Sequence, residues 1–345
     1  MSPTLARRLP AVLVAGVLTL SIAACGSQPP ATSTAQTGSA AQQPAASAFP
    51  VTIEHKFGKT EIKTEPRRVV SLGLTDQDAM LALGVRPVGA TAWFGEQPYS
   101  NWPWADSKWG DARAEVISDG NQVQYEKVAA LRPDLIIGQY AQVTQEQYDK
   151  LSQIAPVVAQ NAKFEDYSTP WREMTTTIGK ALGKEAEAKK LIAGTEAKFA
   201  EIRKAHPEFE GKKVIVADSP AAGQYGAFAP ADPRTVLMTE LGFKVDDKLS
   251  GQTKDGKPIM FGDERLDLLD TDVLVLMPPD KASIDRVKGT PVYQKLQVAT
   301  GDRVVYLPYT EPPAGVALTF ATVLSIPYAL DQMVPALSQA AKKKQ

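Results

Sequence analysis

Two stretches of the chain, EKVAALRPDLII at residues 126–137 and ERLDLLDTDVLV at residues 264–275, follow one pattern. Each opens on a glutamate, sets a leucine five residues on and an aspartate eight residues on, and then enters an apolar strand. Around this echo, both halves alternate strand-like and helix-like patches. In the first half, RVVSL at 68–72 is a strand, Asp76 is placed to cap a helix over 79–83, and Gly84 ends that helix. Residues 85–90 read as a second strand, 134–137 as a third, 147–154 as a helix and 156–158 as a further strand. In the second half, KVIVA at 213–217 opens the plan again and a helix over 235–241 stops at Gly242. Continuous apolar strands alternating with helices predict parallel sheets covered on both faces.

Between the halves, residues 184–206 carry Ala188, Leu191, Ile192, Thr195, Phe199 and Ile202. Their spacings of three and four mark one apolar face of a helix, with the charges mostly off it. A helix of about 22 residues is roughly 33 Å long, and Pro207 ends it. The expected fold class is α/β: two similar α/β lobes joined by a single long spine helix. The expected boundaries are an N-terminal lobe at 49–170, a helical connection at 171–210, a C-terminal lobe at 211–339 and a basic tail at 340–345.

The N-terminus reads as an export leader over residues 1–24. Arg7 and Arg8 give it a positive start, and residues 11–20 are an apolar run too short to span a bilayer comfortably. Leu9-Pro10 after the arginine pair leaves the export route, general or twin-arginine, open. Cys25 is the only cysteine, so no intrachain disulfide can form. Ile22-Ala23-Ala24-Cys25 resembles the lipobox of bacterial lipoproteins, which implies lipidation at Cys25. Residues 25–48 follow as a tether: after the cysteine they hold only Ala, Ser, Thr, Gln, Gly and Pro, which cannot build a core. The expected location is extracytoplasmic, anchored by lipid to the outer face of the cell membrane. The chain carries 38 Lys and Arg against 39 Asp and Glu, and the leader removes two of those arginines and no acid. This balance gives no sign of nucleic-acid binding.

The order and spacing of several segments resemble a known family. PRRVVSL at 66–72, ALGV at 82–85, residues 126–138, 176–205 and 292–308 are similar to bacterial ABC-importer substrate-binding proteins for ferric siderophores, haem and cobalamin. The resemblance covers residues 51 to about 336. It implies two α/β lobes joined by one helix, with the ligand in the cleft between them and a small closing motion. It further implies that Glu126 and Glu264, one per lobe, dock into basic pockets of an ABC permease in the cytoplasmic membrane. Two like charges at a fixed separation can register both lobes on a two-fold transporter. The plainer reading of each glutamate is a first-turn acid complementing a helix dipole.

Motifs for other chemistry fail. GQTKDGK at 251–257 has the glycine and lysine spacing of a phosphate loop, but Pro258 stands where Ser or Thr should hold the metal. Gly223-Gln224-Tyr225-Gly226 has no serine for a nucleophile elbow. The two histidines, His55 and His206, are far apart and at lobe margins, so no metal site is expected. No catalytic constellation can be assembled, and no resident cofactor is expected.

Four of the five tryptophans, Trp93, Trp102, Trp104 and Trp109, crowd one segment after the second strand, where a sheet offers its carboxyl edge to ligand. Trp93 or Trp102, with Tyr99, is expected to face the cleft, and Trp104 and Trp109 to pack. Tyr140 follows the strand ending at Gly138. On the other lobe Gln224, Tyr225, Phe228 and Arg234 follow the 213–217 strand. Arg234 can pair with an anionic group, with Arg113 a second arginine candidate. One arginine amid many aromatics points toward a hydroxamate or mixed-type chelate rather than a tris-catecholate. The expectation is a monomeric binding protein that captures an Fe(III)-siderophore complex and hands it to an ABC permease. Cobalamin or haem on the same fold, a ligand-sensing co-receptor and a secreted enzyme are the alternatives.

Overall fold

The computed structural model describes residues 48–93, 99, 101–249, 257–310 and 312–344. The leader, Cys25 with its lipobox and nearly all of the tether lie outside the described residues, as does most of the 251–257 turn. The body begins with an antiparallel hairpin, β1 (Val51–His55) and β2 (Gly58–Ile62), which the sequence reading did not separate out. His55 is spent inside it: Nε2 meets Thr60 Oγ1 at 2.9 Å and Nδ1 accepts the Phe57 N–H.

The first-half sheet contains β3 (Val69–Ser71), β4 (Gly89–Thr91), β5 (Glu115–Ser118), β6 (Leu135–Gly138) and β7 (Val157–Ala159). All pair in parallel in the order β5-β4-β3-β6-β7, as the buried strands predict. Successive side chains point to opposite faces, so Val69, Leu135 and Ile137 enter one core while Val70 and Ile136 enter another. Helix α1 (Asp76–Ala82) follows β3 and stops before Gly84, whose φ of +78° only glycine adopts readily. Its N-cap is Thr75, with no side-chain cap bond; Asp76 is the first helical residue and its carboxylate turns elsewhere. The short α2 (Asp106–Trp109), α3 (Tyr125–Ala130) and α4 (Gln145–Ser152) complete this half. Thr144 and Gln147 close a reciprocal capping box at the start of α4.

Two helices follow, α5 (Trp171–Ala181) and the predicted spine α6 (Glu185–Ala205). Ala188, Thr195 and Phe199 are buried on the spine's apolar face. Arg172 on α5 reaches Glu196 on the spine at 2.6 Å and Glu240 of the second half at 2.7 Å. His206, just past the spine, engages Glu208 at 3.0 Å.

The second sheet departs from the all-parallel expectation. β8 (Lys213–Ala221) turns at Ala222-Gly223 into β9 (Gln224–Ala227), which runs antiparallel to it. Gly223 has φ +67°, the left-handed geometry a two-residue hairpin needs. After α7 (Pro233–Glu240) come β10 (Lys244–Val245), β11 (Ile259–Phe261), β12 (Val273–Met277) and β13 (Val304–Tyr306). The path is β11-β9-β8-β12-β13, with β10 beside the start of β8. Val214, Val216, Val273 and Val275 face the core shared with the first half; Ile215, Leu274 and Leu276 face the other side. Helices α8 (Lys281–Gly289) and α9 (Gln297–Thr300) lie between β12 and β13 in sequence.

The chain ends in α10 (Ala314–Phe320) and α11 (Ser325–Lys342). Ala321, in left-handed geometry at φ +45°, makes the sharp corner between them. Lys198 on the spine pairs with Asp331 on α11 at 2.6 Å.

The echo has a structural cause. Asp134 accepts the backbone N–H groups of Arg67 and Arg68 at 2.8 and 2.9 Å, just before β3. Asp272 accepts the Lys213 N–H at 2.9 Å, at the start of β8. In each half this aspartate ties two neighbouring parallel strands at their amino ends.

Candidate functional site

The carboxyl edges of the two sheets bring one group of side chains together. On the first sheet, the loop after β3 is held by Asp76. Its buried carboxylate accepts the Gln139 N–H at 2.6 Å and the Tyr140 N–H at 2.9 Å, the residues directly after β6. Gly73 is required there, because a Cβ would lie 2.4 Å from that carboxylate. Burial lifts the Asp76 pKa to about 7 against the pull of these N–H groups. The carboxylate expected to cap a helix therefore fixes the backbone of a candidate ligand residue.

Tyr140 is half-buried, and burial pushes its hydroxyl up to about 12 while Arg234 and Asp232 of the second half act on it electrostatically. Its ring meets Tyr167 edge-on at 6.0 Å. Tyr167 has φ +58°, a conformation that costs a tyrosine energy and that marks a held position. Beside it lies a cavity of about 270 Å³, bounded by Leu74, Ser118, Asn121, Gln142, Thr144 and Tyr167 among others, with no charged side chain in its lining. Trp93 borders the same region: a Cβ on Gly120, which lines the cavity, would meet its ring at 3.4 Å. On its other side Trp93 contacts Phe320 of α10 at 5.1 Å.

The other tryptophans pack. Trp102 is 3 % exposed and stacks on Trp104 at 5.4 Å with the rings 8° apart. This removes Trp102 from the expected ligand set, because α10 and α11 supply the apolar partners, Phe320 and Tyr328, that enclose the pair. Trp104 donates from Nε1 to Asp78 at 2.8 Å, and Thr322, at the α10–α11 corner, donates to the same oxygen at 2.6 Å. Trp109 is fully buried with Tyr99 edge-on against it at 5.2 Å, so the half-buried Tyr99 braces the segment. Residues 94–98 and 100 are outside the described residues.

On the second sheet the hairpin overturns part of the expectation. By sequence, Gln224 and Tyr225 follow the 213–217 strand as candidate ligand residues. Instead Tyr225 lies in β9, 1 % exposed in the outer core, with its hydroxyl on Asp263 at 3.1 Å; Gln224 is exposed at the hairpin turn. Phe228 is also buried, and it serves as a platform: the Arg234 guanidinium sits 3.4 Å from its ring centroid. Arg234 is gripped by Asp232 through Nε at 2.8 Å and Nη2 at 2.7 Å, and the same aspartate caps α7. Arg113 donates to the Gly110 and Ala112 carbonyls and is committed to its own loop.

Three residues here escaped the sequence reading: Tyr167, Asp218 and Tyr309. Tyr309 follows β13 and, like Asp218 within β8, lies within electrostatic reach of Arg234. Burial raises the Asp218 pKa to about 6, partly offset by Arg234. Applying the carboxyl-edge rule to every strand, β13 included, would have flagged Tyr309. Glu126 and Glu264 both stand exposed in the first turn after a strand-to-helix connection, Glu126 in α3 and Glu264 in the 3-10 turn Asp263–Leu269. Among the described residues no group of three or more His, Cys, Asp or Glu is placed to hold a metal ion.

Comparison with known proteins agrees with this architecture. Residues 69–310 match the family model described as periplasmic binding protein. A periplasmic solute binding protein of Mycobacterium smegmatis superposes with a TM-score of 0.75 at 35 % identity, covering 84 % of this chain and 98 % of its own. The iron uptake substrate-binding protein PiaA of Streptococcus pneumoniae, solved with ferrichrome, gives 0.72 at 28 % identity, covering 85 % and 100 %. The Fe(3+)-citrate-binding protein YfmC of Bacillus subtilis is 25 % identical over 264 residues, 73 % of this chain and 76 % of that protein. With two β-sheets, a linking helix and a match spanning most of the described body, the chain belongs to the periplasmic binding protein family of solute-binding proteins.

Proposed function

We propose that this protein is the extracytoplasmic, lipid-anchored binding component of an ABC importer, and that its cargo is a ferric siderophore. The observation that carries the reading is the aromatic set at the sheet edges: Tyr140 and Tyr309 within electrostatic reach of Arg234, Tyr167 edge-on to Tyr140, and Trp93 and Tyr167 bordering an uncharged cavity. Such a set offers broad aromatic walls and few polar anchors, which suits a metal already wrapped in an organic chelator. The histidine and carboxylate grouping that a bare transition metal would need is missing among the described residues. PiaA with ferrichrome, and YfmC by its name, support an iron chelate as the cargo.

The rest of the chain fits this role. A leader, a lipobox cysteine at Cys25 and a neutral tether would hold the body at the outer membrane face yet let it move. The spine, tied to α5 and α7 through Arg172 and to α11 through Lys198, favours a small closure over a wide opening. Glu126 and Glu264, exposed at matched places in the two halves, are the proposed permease contacts.

Tryptophan fluorescence titrated with ferric siderophores, haem and cobalamin tests the cargo. Quenching by a ferric siderophore at micromolar levels is expected; a response to haem or cobalamin alone would reject it. The double variant Glu126→Ala, Glu264→Ala should keep affinity and lose uptake. Lost affinity would move these glutamates into the ligand site and end the docking assignment.

A further inference from the structure

We propose that Asp218 is a specificity-determining residue that makes the site select an uncharged or cationic ferric chelate over an anionic one. The inference rests on the siderophore reading above and adds the charge class of the cargo. Arg234 is the cation that acts on Tyr140, Tyr309 and Asp218 alike. It is not free to meet an anion unopposed. Asp232, itself 9 % exposed, grips the guanidinium with both carboxylate oxygens, and Phe228 covers one face. Asp218 then adds a second carboxylate near the same arginine. The local group thus holds one cation against two acids.

The fold fixes Asp218 in this place. It pairs with Gly226 across the β8–β9 hairpin, and its Oδ1 lies 2.5 Å from where a Cβ on that glycine would stand. That oxygen is buried and makes no hydrogen bond of ordinary geometry. The neighbouring N–H groups and Arg234 soften the charge, and the carboxyl still ionises near pH 6, so it is mostly anionic at neutral pH. The nearby Arg286 does not cancel it. That side chain comes from α8 to the carbonyl of Ser219, the next residue along β8, and Asp218 and Ser219 send their side chains to opposite faces.

A ferric trihydroxamate is neutral, because three singly charged ligands balance the iron. A ferric tris-catecholate is a trianion. In a partly desolvated site, a trianion next to an excess carboxylate is repelled, whereas a neutral chelate feels only packing and hydrogen bonds.

The test uses the exported chain, titrated with ferrichrome as the neutral chelate and ferric enterobactin as the trianion. Wild type should prefer ferrichrome by about 100-fold or more, a gap that several opposing charges at short range can produce. Asp218→Asn, nearly isosteric, should leave ferrichrome within ~3-fold and tighten ferric enterobactin by about tenfold. Raising the salt concentration on wild type gives a second readout that needs no variant: the trianion should bind more tightly while ferrichrome is unmoved. A wild type that prefers the trianion, or an affinity ratio unchanged in Asp218→Asn with its melting curve intact, overturns the proposal. Binding of neither chelate by wild type instead rejects the siderophore reading itself.

Discussion

Replacing Asp78 by asparagine probes how the tryptophan segment is held in place. The Asp78 carboxylate is buried on α1, and one oxygen takes both the Trp104 and the Thr322 donors. Burial, acting against those two hydrogen bonds, lifts its pKa from 3.8 to about 7. Between those values the folded protein keeps a proton that the unfolded chain has lost. Stability from this group is therefore fully present below pH ~4 and falls as pH rises through about 7. The complete swing is ~4 kcal/mol, of which ~3 kcal/mol falls between pH 5 and pH 8. Asparagine keeps an acceptor for Trp104 and Thr322 and never ionises. Urea unfolding at pH 5 and pH 8 should show wild type losing stability between the two, and Asp78→Asn losing less by up to ~3 kcal/mol. Asp76, also raised to about 7, slopes the same way in both proteins and cancels from the comparison. A variant weakened equally at both pH values would mean that Asp78 is an ionised, stabilising charge, and would refute a carboxyl held neutral by burial.

Two further outcomes follow from the packing. Trp109→Ala empties a fully buried site and should cost ~3–5 kcal/mol, visible as a lower melting temperature; Trp93→Ala, only half-buried, should cost less than that and remove most of the ligand-induced fluorescence change. Asp134→Ala and Asp272→Ala each strip backbone N–H groups of their acceptor and should each cost ~1–2 kcal/mol. Because the two sites sit in different sheets, the double variant should be additive within ~0.5 kcal/mol, and marked non-additivity would contradict independent locks.

What could be read from sequence was what local chemistry decides. The spine announces itself by its three-and-four spacing, and α6 begins and ends within a residue of the expected limits. Gly84 and Gly242 mark helix ends because their φ values of +78° and +105° exclude most other residues. What could not be read depends on distant partners. Trp102 is buried because Phe320, more than two hundred residues later, closes over it. Tyr225 faces the core because Ala222-Gly223 turns the chain back as a hairpin, a short signal easily taken for a loop before a helix. Asp76 looks like a helix cap from its position, yet its carboxylate is claimed by the Gln139 and Tyr140 amides, over sixty residues away. Tyr167 carries no local mark of its own; its contact with Tyr140 depends on the fold, whereas the position of Tyr309 after β13 was open to the carboxyl-edge rule.

The echo shows why fold and proposed function are written in the same residues. Its aspartate fixes the amino end of a central strand, and an arginine reinforces each lock: Arg68 donates to the Leu131 carbonyl, and Arg303 to the Thr271 and Asp272 carbonyls. With that end fixed, the glutamate eight residues earlier is held at a set height above its own sheet, in each half alike. On the proposed docking, the spine, tied through Arg172 and Lys198, would limit the Glu126–Glu264 separation. Two charges that must meet two pockets at once lose affinity steeply when their spacing wanders, because the second contact no longer forms at high effective concentration. On the proposed docking, repeating the lock along with the glutamate would keep that spacing under control and give a physical reason for the aspartate to travel with it in both halves.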